Sequence, residues 1–418
     1  MKRFNKYDLL IILTIATLAW GNNEALRFLY PIRILGAFGL FITASNWRLL
    51  STIFRKWVIF LSLWLVYIVC SIVWTPEIGD GFIQAFHLVT IFGAMGMLMV
   101  ASLKAKHPLN SIVLGWAAMV LITLPIAIWE IQTGQHLTSG NFHEDSMSYG
   151  QLRIFAAVTY GNFNSYSVAL ASALPFILTG WVDKDKNIFG KLFFIILTLL
   201  MAGILILNAS RGCLLCLIVG VLLMLLMQMK GRFSLFNVAL IIAIFAGAIY
   251  YAIVELELDM FFEITARLDN EGTELGRSAI YKAGLITAMK TGLVGGGVGS
   301  VEPLMREYTR WVGTYVTHNV FLEILIEYGL IICLVFIWKF YKTGFALWKS
   351  QDVKEKLIGY YVVITSVLLF LVDDYYTGES VFWIYLVSLI IISTLYTRRK
   401  REERNAIQQN AKGVALNR

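Results

Sequence analysis

Twelve stretches of this 418-residue chain are apolar over about the 20 residues that a helix needs to cross a bilayer. They begin near Tyr7, Phe28, Trp57, Phe82, Asn110, Ser165, Lys191, Gly212, Ser234, Val320, Lys356 and Val381. So much apolar length does not fit inside a water-facing core, and in hydrocarbon a helix satisfies its own backbone groups. Composition agrees: 58% of residues are apolar and only 15% charged, with a mean hydropathy of +0.71. That balance excludes a soluble globular enzyme and a disordered chain. The expected fold is an all-α integral membrane protein of about 12 transmembrane helices, a single polytopic domain over residues 1–418.

The net charge of +8 would suggest a nucleic-acid partner in a soluble protein. In a membrane protein the position of each base matters more, because Lys and Arg are retained on the cytoplasmic side. Of the 35 bases, 25 fall in Lys2–Lys6, Arg48–Lys56, Lys104–Lys106, Lys184–Lys191, Lys230–Arg232, Lys339–Lys356 and the tail from Arg398. Most of the 27 acidic residues fall in the intervening segments. This alternation predicts an even number of spans with both termini cytoplasmic, the bilayer as partner, and no nucleic acid. The run after Lys6 has no small-residue cleavage pattern and is read as the first span. The tail 398–418, which opens RRKREER, is a cytoplasmic anchor. The largest extracytoplasmic loop is expected at about 255–317, between helices 9 and 10, and a smaller one from Ile131 to about Asn164. Cys70, Cys213, Cys216 and Cys333 all lie in apolar runs and give neither a disulfide framework nor a zinc pattern.

Extracytoplasmic chemistry must then come from these two loops and the span ends beside them. Arg211, in NASRG, is a cation squeezed between two apolar runs, where it needs an anionic partner or water; interface snorkelling is the alternative. Arg277 lies in ELGRSAIYKAGL within the large loop and by itself reads as a solvated arginine. His318 opens the tenth span in THNVFLEILIEYG, with Asn319 beside it. Glu323 and Glu327 stand one and two turns further on, at i and i+4 on one helix face. An imidazole there suits a general base over an acceptor hydroxyl, against a plain capping role. His87, His107 and His136 show no comparable neighbourhood, and His143-Glu144-Asp145 is a weak metal triplet. Thr291–Ser300, TGLVGGGVGS, lacks the Lys of a P-loop, leaving flexible geometry or backbone amides that approach a phosphate. The polar opening TYGNFNSYS, with Asn162 and Asn164, reads as a cavity lining or a surface turn, with the membrane helix proper following it.

In order, SRG at a span end, GR-x3-Y-x2-GL, GLVGGGVG and HN-x3-E-x3-EYG resemble the bacterial O-antigen ligase and polysaccharide polymerase superfamily. The likeness covers residues 162–330, with an upstream GNFN-x4-A in which Phe163 replaces the family's proline. The resemblance implies a metal-independent membrane glycosyltransferase without a cofactor, in the bacterial inner membrane. Its donor would be an undecaprenyl-diphosphate-linked glycan, and its acceptor a glycan or lipid-linked acceptor on the extracytoplasmic face. It also implies that Arg211 and Arg277 bind the diphosphate and that His318 acts on the acceptor. Arg153, Asn164, Tyr281, Asn319 and Glu323 are second-rank substrate-binding candidates.

An acceptor that is another lipid-linked repeat would make the protein a polymerase, and a lipid A core or other terminal acceptor would make it a ligase. The acidic start LEILIEYG looks like capsule and exopolysaccharide members, which favours polymerisation. A polysaccharide transporter or flippase is the rival of another class. Such proteins carry repeats between halves and charges near the midplane; here the halves show no evident similarity and the notable charges sit at the outer ends of spans.

Overall fold

A computed structural model describes residues 3–21, 30–137, 155–208, 210–228, 272–309, 315–372 and 378–416; of 272–278 and 410–416 it describes the backbone alone. Among these residues the helices are α1 (Lys6–Ala16), α2 (Pro31–Ser45), α3 (Trp47–Ile53), α4 (Arg55–Ser71), α5 (Ile78–Lys104), α6 (Pro108–Thr133) and α7 (Phe163–Val182). They continue with α8 (Ile188–Leu207), α9 (Arg211–Gln228), α10 (Gly272–Lys290), α11 (Val301–Tyr308), α12 (Val320–Trp348), α13 (Val353–Leu369) and α14 (Ser380–Leu416). Helices start within a few residues of eleven of the twelve apolar runs. The twelfth, near Ser234, lies outside the described residues. Seven of the helices, α5 to α9, α12 and α14, are long and apolar enough to cross a membrane; α3 and α4, bent by 117°, would make an eighth if they form one broken span. The chain is thus an all-helical, multi-pass protein with seven such helices among the described residues.

Without a hydrophobic drive between helices in lipid, association rests on close packing. The α2 and α5 backbones meet at a glycine seam: a Cβ on Gly36 would run into the Thr90 carbonyl, and one on Gly39 into that of Gly93. A second centre is aromatic. The buried Trp64 of α4 meets Tyr328, Phe336 and Trp383 edge-on, at ring distances of 5.4, 5.8 and 5.2 Å. These contacts join α4, α12 and α14.

At one end of the bundle, charged caps hold the turns. The Asp8 carboxylate accepts from the Lys106 and His107 amides and the Ser111 hydroxyl, and Glu355 accepts from Ser350 and Arg399. At the other end lie the large loop's two helices and the starts of α7, α9, α12 and α14. There α10 and α11 build a satellite core, Ile280, Ala283, Val301, Leu304 and Met305, on Ile326 of α12.

The glycine-rich segment between α10 and α11 is a clamp. Helix α12 breaks at Gly329 (φ 81°, ψ 175°), so carbonyls just before the break lose their helical partners. The Gly296 and Gly297 amides supply the missing bonds to the Ile326 and Glu327 carbonyls at 2.7 and 3.0 Å, and the Leu330 amide donates back to Leu293 at 2.8 Å. The Gly299 amide donates to the buried Glu327 carboxylate at 3.0 Å. On the far side the end of α4 grips the same loop. The Tyr67 hydroxyl donates to Val294 O, Thr75 to Val298 O, and the Val298 amide to Ser71 Oγ. The expectation of amides approaching a phosphate is therefore corrected: these amides are spent on a broken helix.

Gly295, Gly297, Gly299 and Gly329 all have positive φ, and a Cβ on Gly297 would lie 2.8 Å from Ser71 O. Gly329→Ala places a side chain in left-handed backbone against the Val294 carbonyl. It is expected to cost at least about 2 kcal/mol, seen as a lower thermal midpoint of the detergent-solubilised protein. Gly203→Ala, on α8 with open space around it, is the neutral control.

Candidate functional site

The C-terminal end of α13 is the hub of the site. Its capping residue Phe370 accepts the Val320 amide at 3.2 Å, which fixes the start of α12. Its ring packs on Phe321, Phe340 and Phe382 at 5.8, 5.3 and 5.7 Å. Two residues on, Val372 presses on Gly212, where a Cβ would come within 2.5 Å of Val372 Cγ2. The two ends of one short segment, 370–372, thus touch the start of α9, which carries Arg211, and the start of α12, which follows His318.

Arg211 is the first residue of α9 and exposed; the Ser210 hydroxyl beside it is buried with no hydrogen-bond partner among the described residues. His318 is half-buried and left-handed (φ 46°), a conformation rare outside glycine and concentrated at functional sites. The turn is held by Thr317, whose hydroxyl donates to Asn319 O at 3.1 Å and accepts the Asn319 amide at 3.4 Å. Asn319 is the α12 cap: its Oδ1 accepts from the Phe321 and Leu322 amides at 2.9 and 3.3 Å. That oxygen is engaged in capping, which narrows the expected substrate-binding role of Asn319.

Glu323 and Glu327 are both buried at 2% exposure. Glu327 serves the glycine clamp, while Glu323 lies one turn nearer His318. Tyr281 packs, half-buried, against the satellite core. Arg277 lies on α10, but its side chain falls outside the description, as does the whole of Arg153. Helix α10 meets α12 where Gly284 faces Leu322 and Ile326, and its following turn reaches Leu330 through Leu293. The two helices therefore run parallel here, and at about 1.5 Å per residue the backbone at position 277 comes level with the Thr317–Asn319 turn.

Residues 155–162 form the remaining wall. Ala156, Ala157, Val158 and Tyr160 are buried, and α7 proper begins at Phe163 behind an Asn162 cap that accepts the Asn164 amide at 2.8 Å. Asn164 itself is half-buried. Two buried polar side chains that the sequence did not flag hold this wall. Asn208, at the end of α8, accepts the Ala156 amide at 2.8 Å and donates to Ala156 O and Ser167 Oγ at 2.9 and 3.1 Å. Glu130 of α6 accepts the Ala157 and Val158 amides, both at 2.8 Å. His136 stacks on Phe155 at 4.4 Å with Nδ1 3.6 Å from Glu130, and His87 bonds Arg33 and Gly378, so both histidines have the neighbourhoods that the sequence did not give them. A visible signal did exist for Arg33 and Glu130, each an ionisable residue inside an apolar run. No group of three potential metal ligands occurs among the described residues.

Residues 196–337 match the family model described as O-antigen ligase. Over that segment, about a third of its length, the chain is similar to the O-antigen ligase family. No curated protein matches the chain. The O-antigen ligase segment takes in Arg211, Arg277, Tyr281, His318, Asn319, Glu323 and the glycine clamp, and leaves Arg153, Asn164 and the Asn208-bound wall residues 155–162 to the preceding half. The match thus includes the starts of α9 and α12 and, between them, α10 and α11, and it supports a polysaccharide ligase or polymerase type of activity in general terms.

Asn208→Ala leaves the buried Ala156 amide and carbonyl without partners. It is expected to destabilise the protein by about 2–3 kcal/mol and to open residues 155–162 to limited proteolysis.

Proposed function

We propose that this protein transfers a glycan from an undecaprenyl-diphosphate carrier to an acceptor hydroxyl at the extracytoplasmic face of the bacterial inner membrane. The carrying observation is that the O-antigen ligase match takes in both Arg211 and His318, which flank one helix terminus. The distribution of bases supports the orientation, since Lys and Arg crowd the opposite end.

The donor's tail stays in the bilayer, so its diphosphate meets the protein at a span end. Arg211, at the start of α9, combines a guanidinium fork with the positive end of a helix. Arg277 supplies a second cation from α10. In the reaction the acceptor oxygen attacks the anomeric carbon of the donor's first sugar, and the bond from that carbon to the diphosphate oxygen breaks. The electron pair leaves with undecaprenyl diphosphate, whose charge the arginines stabilise without requiring a metal. His318 takes the acceptor's hydroxyl proton. The left-handed turn at His318 presents the imidazole at the mouth while α12 carries the apolar load behind it. Arg153, Asn164, Tyr281 and Glu323 surround the sugars in this reading. Polymerisation of repeat units is the favoured outcome, with ligation to a terminal acceptor distinguished by experiment.

In a deletion strain complemented with Arg211→Ala or His318→Ala, transfer is expected to fall by about 10² or more. The surface glycan ladder and the carrier-linked intermediates measure it. Single repeats accumulate on the carrier if the protein is a polymerase, and long chains accumulate if it is a ligase. Unchanged ladders with both variants would overturn the enzyme reading.

A further inference from the structure

We propose that a cationic niche between the first turn of α4 and the second half of α12 binds the headgroup of an anionic phospholipid in the cytoplasmic leaflet. Lys339 of α12 is its centre. The ammonium lies 5.1 Å over the Trp57 ring, 5.4 Å over Phe60 and 5.9 Å over Trp338, and it donates to the Lys56 carbonyl. Lys342, one turn further on, stands 4.4 Å over the same Trp338 ring. Arg55 and Lys56, both exposed, immediately precede Trp57 in the chain. Four bases thus gather around two tryptophans where α4 meets α12.

What sets these bases apart is the lack of any acid. Residues 31–76 and 328–351 contain no aspartate or glutamate, and none of Arg55, Lys56, Lys339 and Lys342 forms an ion pair among the described residues. Other bases at this end of the bundle are paired: Lys354 with Asp183, Arg399 with Glu355 and Arg398 with Glu402. Positive groups crowded together without a counter-charge repel one another, so one anion placed among them is attracted by all of them. Lys339 is half-buried, and its aromatic neighbours hold the ammonium in place before any ligand arrives. A lysine ammonium is a point charge with three donors, of which the Lys56 carbonyl takes one. The others suit phosphate oxygens.

Location makes that anion a lipid. Helix α4 grips the glycine clamp near its far end, through Tyr67 and Ser71, and meets the niche with its first turn. The niche and the His318 turn therefore lie at opposite ends of the bundle, and the distribution of bases puts the niche on the cytoplasmic side. Trp338 is exposed, as befits a tryptophan at headgroup level.

From that level each helix carries an exposed apolar stripe toward the membrane interior. On α4 it is Ile59, Leu63 and Val66, and on α12 Leu334 and Ile331 continue it from Trp338, all at helical spacing. A free phosphate or an acidic peptide would use the charge and leave the stripes idle. An anionic phospholipid uses both, with its head on the bases and its acyl chains along the stripes, the arrangement expected of basic pockets between helices on the cytoplasmic side. The site stands independently of the transferase reading.

The test uses the full chain in detergent micelles, titrated with phosphatidylglycerol or with zwitterionic phosphatidylcholine, and native mass spectrometry counts the lipid retained. The wild type is expected to bind phosphatidylglycerol at least about tenfold more tightly than phosphatidylcholine. Lys342→Gln, which changes an exposed side chain resting on one ring, should weaken phosphatidylglycerol about fivefold, the worth of one base near an anionic headgroup. Lys339→Gln combined with Lys342→Gln should weaken it about 25-fold, with phosphatidylcholine unchanged in both. Arg401→Gln, at an exposed base in the tail, is the control and should stay within about twofold of wild type. Equal affinity for the two lipids, or phosphatidylglycerol binding by the double variant within about twofold of wild type, would overturn the site. A loss with Arg401→Gln as large as with Lys342→Gln would also overturn it, because diffuse surface charge would then suffice. Displacement of the lipid by an equal concentration of glycerol 3-phosphate or of a polyglutamate peptide would overturn the lipid assignment, in favour of a free anion or an acidic protein.

Discussion

Hydrocarbon offers no hydrogen bonds, so every backbone group at membrane depth must find its partner in the protein. The break in α12 at Gly329 is where that demand shapes everything nearby. A continuous helix would need nothing from the large loop. An interrupted one frees carbonyls at Ile326 and Glu327, and only a segment that can bring bare backbone within 3 Å can close them. The adjacent Gly296 and Gly297 do so, and the same segment is gripped from behind by Tyr67, Ser71 and Thr75. The cost of breaking a helix thereby becomes the bond that docks the α10–α11 unit onto the bundle. With the unit docked, the short first half of α12 has a fixed axis, and the His318 turn at its head has a fixed place.

A second constraint acts at the end of α13. Arg211 and His318 are more than a hundred residues apart in sequence, and neither touches the other's helix through its own side chain in any bond described above. They share a support. The Phe370 carbonyl and the Val372 side chain hold the two helix starts from either flank, and the aromatic packing of Phe370 on Phe340 and Phe382 stiffens that support. Convergence of this kind depends on backbone position, so it survives variation in the sugars that a site handles.

Much of this was legible in the sequence, and the failures share one cause. Apolar runs marked the helices because a bilayer imposes a length and a composition that no alternative structure satisfies. Arg211 and His318 stood out because polar residues at span ends are costly without a use. Asn208 and His87 did not, since their partners lie 52 and 291 residues away along the chain and nothing local announces them; Glu130, a carboxylate inside an apolar run, announced itself but not its partner 28 residues on. The glycine-rich segment was half legible: its composition said that backbone approaches something closely, but only the fold says that this something is another backbone. Where Asn319 was expected to bind substrate, the demand of a helix start for a cap took its oxygen first.

Helix α14 runs without interruption over 37 residues, from Ser380 into the basic tail. At about 1.5 Å per residue it is a rod of roughly 55 Å, well beyond the ~30 Å of a hydrocarbon core. Its far portion is fastened by Arg399 to Glu355 and then projects, exposed, past the last packed turn. A rod with no joint transmits tilt from one end to the other. Whatever engages the charged tail on one side of the membrane therefore has mechanical leverage on the start of the helix at the other.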